Sequence, residues 1–235
     1  MGLLVSGIGT DEAYTNRKIV LSGHHYRNIR KEQESFAEII NYRPETVKKW
    51  SAVYRKYIHL NQEMKEKLNI ERKKIFKDNK RVLGVKFRST DYLYNLPQDH
   101  SIQASCEEMI AYTEKIMKKD GGGYDQVYLS VENPSVVEKF REKFGERLLI
   151  YDCKLADCAD NKIMCMSEAA VKSVGERQSG EDYLVQILLL SLCDGLLCCE
   201  NSGVNVAIAM NGGKYDKVYH ISKGINDTGK VLRMI

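Results

Sequence analysis

The sequence predicts an α/β fold: a Rossmann-like, doubly wound parallel sheet preceded by a mainly helical amino-terminal segment. Three observations carry this reading. From residue 81 onward, five short apolar runs alternate with helical stretches, the pattern of crossovers that covers a parallel sheet on both faces. Before residue 81, apolar residues recur instead at three- and four-residue steps. The charge balance changes at the same place, with 17 basic and 10 acidic side chains in residues 1–80 against 19 and 22 in residues 81–235. The chain is therefore divided into a helical segment, 1–80, and a sheet domain, 81–235.

Taken in order, Lys18 to Leu21 reads as a short strand. Pro44-Glu45-Thr46 opens one long amphipathic helix, its stripe running through Val47, Trp50, Tyr54, Tyr57, Met64 and Leu68, with proline tolerated in the first turn. Val82 to Phe87 is the first strand of the sheet domain. Ser105 caps a helix to about Lys118, with Glu107 and Glu108 in the first turn, where carboxylates suit the dipole. Gly121-Gly122-Gly123 breaks it, and Gln126 to Ser130 is the second strand. Asn133 as cap, Pro134 at the first position and Gly145 as the stop frame the next helix. Leu148 to Tyr151 is the third strand. A helix over about Gly180–Cys193 leads into the fourth, Gly195 to Cys199. Asn201-Ser202 starts a helix ending near Gly212, and Lys217 to Ile221 is the fifth strand.

Several classes are excluded. No apolar stretch reaches the roughly 20 residues of a membrane helix; the best, Ile187 to Cys199, is interrupted by Ser191, Asp194 and Gly195. Seven cysteines in apolar contexts, with no C-x-x-C pair, suit free thiols in a reducing, cytoplasmic setting. The five histidines lack zinc-finger spacing, and no metal site is expected. The basic cluster from Lys65 to Lys80 is interspersed with Glu66 and Glu71 and reads as a solvated helix face. Nucleic-acid binding through it is a third reading, set aside because no aromatics interleave for base stacking.

A parallel sheet of this kind binds ligands at the carboxyl ends of its strands. That rule selects the loops 86–91, 130–134, 151–180 and 199–204. In the first, Lys86 and Arg88 share strand parity, and Arg88 is placed either to fork onto a diphosphate or to tie the loop through Asp91. In the last, Asn201, Ser202 and Gly203 open a helix whose amino end is either an anion site or simply capped. There is no D-x-D pair and no G-x-x-x-x-G-K-[ST] loop.

Leu83-Gly84-Val85-Lys86-Phe87-Arg88-Ser89-Thr90-Asp91 resembles the G-V-H-x-R-R-T-D motif of GDP-fucose-dependent fucosyltransferases. The nearest group is the α-1,6-fucosyltransferases and nodulation-type transferases, with related bacterial polysaccharide glycosyltransferases. Later blocks follow in the same order. Val127 to Pro134 resembles the family's V-Y-L-A-T-D-D-P, and Leu190 to Leu197 followed by Asn201-Ser202 resembles its L-S-x-A-D-x-L-V and S-S. The resemblance spans residues 81–221. It implies a GT-B-type donor domain and an inverting, metal-independent transferase that needs no cofactor beyond a GDP-sugar donor, most simply GDP-fucose, and acts on a glycan acceptor. Carried over, the motif's first Arg, a diphosphate contact, is Arg88, and the phosphate-binding S-S segment is Asn201-Ser202, followed by Gly203. Thr90 keeps the motif's threonine. Asp91 and Glu132 are the carboxylates for base or positioning roles.

The departures concern the base. The family's guanine-contacting His is Lys86 here, its second motif Arg is Ser89, and its helix Asp is Gln186, which lacks the charge that favours guanine's N–H donors. The acidic pair after the second strand is Glu132-Asn133. The first 80 residues are too few for the acceptor domain of the family, so the expectation is an abbreviated acceptor side, with a partner chain or a second copy completing it. The competing reading is a non-catalytic nucleotide-sugar-binding module, or a fragment of a transferase.

Overall fold

A computed structural model of the chain describes residues 36–77, 80–88, 100–118, 123–155 and 174–226. After a 3-10 turn at Glu38–Asn41 come helices α1 (Pro44–Tyr57) and α2 (Gln62–Ile75). There follow β1 (Val82–Lys86), α3 (Cys106–Met117), β2 (Gln126–Ser130), α4 (Pro134–Phe144), β3 (Leu148–Ile150), α5 (Glu176–Leu190), β4 (Gly195–Cys198), α6 (Ser202–Asn211) and β5 (Lys217–His220). The five strands are all parallel, in the order β3-β2-β1-β4-β5. This is a doubly wound sheet whose winding reverses between β1 and β4, where such folds open a crevice.

Local signals explain most boundaries. Ser105 and Glu108 form a full capping box on α3. Asn133 accepts the Ser135 N–H at 2.9 Å to start α4, and Gly145, at φ 54°, ends it. Asn201 caps α6 by accepting the Val204 N–H at 3.0 Å. Two expectations change. The single helix from Pro44 through Leu68 is two, because Ile58 is extended and the Asn61 side chain accepts the Met64 N–H at 2.8 Å, starting α2 afresh. The helix before β4 starts earlier than Gly180, at Glu176, behind Gly175 at φ 88°. Gly180 stays inside it with open space where a Cβ would lie. The strand expected at Lys18–Leu21 lies outside the described residues.

Strand alternation divides the core in two. Leu83, Val85, Val127, Leu129 and Leu197 face α3 and α4, packing on Met109, Val137, Phe140 and Phe144. Tyr128, Leu196 and Cys198 face α5 and α6, with Val185, Leu189, Val204 and Ile208. Ile39, Val47 and Met64 belong to this second cluster, so α1, seated on α6, and α2, seated on α5, form an outer layer over the same face. The change of charge near residue 80 is a surface property; the packing continues across it. A close approach sets one glycine here: a Cβ on Gly84 would meet Leu190 Cδ1 at 2.7 Å, so α5 rests directly on β1. The five cysteines among the described residues are free thiols. No described helix is long and apolar enough to cross a membrane.

Candidate functional site

The carboxyl ends of β1, β2 and β4 lie side by side, with Lys86 in register with Ser130 on one side and Cys198 on the other. Lys86 ends β1, and its side chain is only 1% exposed. A buried ammonium needs a partner. Glu132, two residues beyond β2, provides it: Lys86 Nζ donates to Glu132 Oε1 at 2.6 Å. The ammonium also lies 5.3 Å from the centre of the Tyr183 ring on α5, within cation–π range. Glu132 Oε2 is buried and has no hydrogen-bond partner among the described residues. Leaving such an acceptor unpaired costs about 1–3 kcal/mol.

One turn along α5 from Tyr183, Gln186 Oε1 accepts from Ser130 Oγ at 3.1 Å, and its Nε2 donates to Cys153 Sγ at 3.5 Å. Burial, with the nearby Asp182 carboxylate adding to it, pushes the Cys153 thiol up to about 11. Asp182 itself is held by Tyr151 Oη and Gln178 Nε2, each at 2.8 Å, and by Lys67 Nζ at 3.2 Å. Burial and the bond to Asp182 keep the Tyr151 phenol protonated far above its ordinary range. This cluster joins α2, α5 and the end of β3, and makes a rigid floor beneath the crevice.

Across the crevice the donors are of another kind. At the start of α6 the backbone N–H groups point along the helix axis, out of the amino end. Asn201 steadies the turn twice, accepting from Val204 and donating to the Cys199 carbonyl at 3.3 Å. Glu200, just before, is held by Ser101 Oγ at 3.0 Å and, through its carbonyl, by Gln103 Nε2 at 3.1 Å. Ser202 is exposed at the first helical position. Gly203 is buried, and a Cβ there would lie 2.4 Å from Tyr183 Oη and 2.9 Å from Ile187 Cδ1. Tyr183 thus runs from the Lys86 ammonium to the beginning of α6 and joins the two sides.

Of the residues singled out in the sequence, Lys86 and Gly203 both approach Tyr183, Glu132 is bonded to Lys86, and Gln186 lies one turn further along α5. Arg88 follows β1 by two residues and is half-buried. Ser89, Thr90 and Asp91 lie outside the described residues, and with them the Arg88–Asp91 tie. Tyr183 is the residue of this candidate site that the sequence reading missed. Its position three residues before Gln186, on the same helix face, is the signal that would have found it.

The sequence matches the family model of α-(1,6)-fucosyltransferase N- and catalytic domains over residues 15–210. The chain belongs to that family. The match starts well before residue 81 and takes in α1 and α2 as well as the crevice. Among solved structures, this α-(1,6)-fucosyltransferase family member is similar to NodZ α-1,6-fucosyltransferase co-crystallised with GDP, at 11% identity and a TM-score of 0.48. It is similar also to NodZ soaked with GDP-fucose, at 12% identity and a TM-score of 0.46. Each alignment covers 86% of this chain and 64% of the other, so the chain spans a little under two thirds of their length. No curated protein sequence matches it.

Proposed function

We propose that this protein is a fucosyltransferase-like glycosyltransferase that uses a GDP-sugar, GDP-fucose in the simplest case, and inverts the anomeric centre without a metal ion or further cofactor. The observation that carries the reading is the family match across every element that builds the crevice. Arg88 and the amino end of α6, with Asn201, Ser202 and Gly203, then hold the diphosphate. The guanidinium forks onto its oxygens, and the helix N–H groups stabilise the charge that develops as GDP departs. The acceptor hydroxyl attacks the anomeric carbon opposite the leaving phosphate, the carbon–oxygen bond electrons go to GDP, and the hydroxyl proton passes to a carboxylate, for which Asp91 is the candidate. Glu132, paired with Lys86, is better suited to positioning. The free thiols fit a cytoplasmic, reducing setting, and a glycan acceptor would be bound with help from a partner chain or a second copy.

Calorimetric titration with GDP and GDP-fucose tests the reading. Binding is expected for both, with Arg88→Ala lowering affinity by about tenfold or more. Absence of binding at millimolar nucleotide overturns it. A second reading, a nucleotide-sugar-binding module without transferase activity, is favoured by the base-side side chains bonding to one another, Lys86 to Glu132 and Gln186 to Ser130. Binding of GDP-fucose with neither hydrolysis nor transfer would select it.

A further inference from the structure

We infer that Glu132, held in place by Lys86, selects the base of the bound nucleotide, and that it selects a lactam edge, an N–H beside a C=O. This rests on the nucleotide-sugar reading above. Glu132 Oε2 is a buried acceptor with no donor among the described residues, while Oε1 of the same carboxylate already takes the Lys86 N–H at 2.6 Å. An ionised carboxylate only accepts, and an ammonium has three donors, of which this bond uses one. An unsatisfied acceptor and an ammonium with further donors therefore stand side by side.

Guanine, hypoxanthine and uracil match that pair. Each can place its ring N–H on Oε2 and its adjacent carbonyl on Nζ. Adenine and cytosine present the reverse order: their ring nitrogen is an acceptor and would face Oε2 lone pair to lone pair, and their amino group would face the ammonium. Gln186 has a partner at each end, its carbonyl accepting from Ser130 and its amide donating to Cys153, whereas Glu132 Oε2 is unmatched among the described residues. The pair also lies where the base of a nucleotide would reach. The Tyr183 ring rests on Lys86 while its hydroxyl abuts Gly203, so the pair is one tyrosine side chain away from the phosphate-binding turn. Tyr183 is 41% exposed and is the side chain that swings aside to admit the base, a rotation available to an exposed aromatic.

Inosine diphosphate and adenosine diphosphate differ only at this edge, so their ratio of affinities is the measurement. The wild-type protein should bind GDP and IDP at least about tenfold tighter than ADP, because a site built around a hydrogen bond rejects the ligand that leaves it unmade. N1-methyl-GDP, which has lost the ring proton, should bind as weakly as ADP. In Glu132→Gln the amide can turn either face to the base, and the IDP-to-ADP ratio should fall to within about threefold. Equal binding of IDP and ADP by the wild type overturns the inference and leaves the diphosphate site standing. So does a folded Glu132→Gln, verified by circular dichroism, that keeps the full ratio. Failure of all four nucleotides to bind overturns both readings together. Should Glu132→Gln not fold, the wild-type comparison of GDP with its N1-methyl form decides the matter.

Discussion

The two sides of the crevice present different kinds of polar group. On the α6 side the donors are backbone N–H groups, steadied by Asn201, and any sequence that starts a helix there provides them. On the β1–β2 side the groups are side chains, Lys86, Glu132, Ser130 and Gln186, bonded to one another across 46 and 56 residues of chain. The α6 donors therefore survive wide sequence change, whereas the side-chain network is rewritten whenever one of its members changes.

The largest break in this comparison comes from Lys86→Met. It leaves Glu132 without its cation, and unfolding in denaturant should show a loss of about 3–5 kcal/mol. Lys86→Met with Glu132→Leu should return to within about 1 kcal/mol of the wild type; a double variant as unstable as the single one would show that the pair is not the source. The coupling between the two sides is read by Gly203→Ala. Its methyl group would crowd Tyr183 Oη, with an expected loss of about 1–2 kcal/mol, part of which Tyr183→Phe should restore in the double variant. Asn201→Ala removes the α6 cap and should lower Tm by about 2–4 °C, the equivalent of about 1 kcal/mol. Its effect on GDP affinity should be smaller than that of Arg88→Ala, because the backbone donors remain. Smallest is the behaviour of Cys153. With its thiol pushed up to about 11, about one in a thousand is ionised at pH 8, so thiol reagents should label it slowly and about tenfold faster per pH unit. Rapid labelling at pH 8 would mean that the base side opens freely.

Much of this fold is legible in local sequence. Asn133-Pro134 with Gly145, and Ser105 with Glu108, bound their helices as the residues indicate, because a cap and its partner lie within one turn. The break between α1 and α2 escapes the periodicity, since the apolar stripe continues from Tyr57 to Met64 while Asn61 interrupts the backbone. Gly180 misleads in the opposite direction: it resembles a boundary, yet α5 runs through it. In the site, the sequence singles out Lys86, Glu132 and Gln186 but cannot show that Lys86 pairs with Glu132 or Gln186 with Ser130. Those bonds join residues far apart in the chain, brought together by the parallel register of β1 with β2 and by the packing of α5 on β2. Tyr183 is legible only as a neighbour of Gln186 on one helix face; its approach to α6 depends on the missing Cβ of Gly203 on another helix.

The strand order carries a cost in time. β1 lies at the centre of the sheet, yet the chain that flanks it on the β4 side is distant, with the Val82 N–H bonded to the Asp194 carboxylate 112 residues later. During synthesis from the amino end, β1 and β2 are complete long before β4 exists, and one edge of the central strand waits open. Such an edge is a template for pairing with other chains, and pairings this distant slow the final closure. The crevice is therefore a late part of the domain to form, since its two walls meet only when β4 docks.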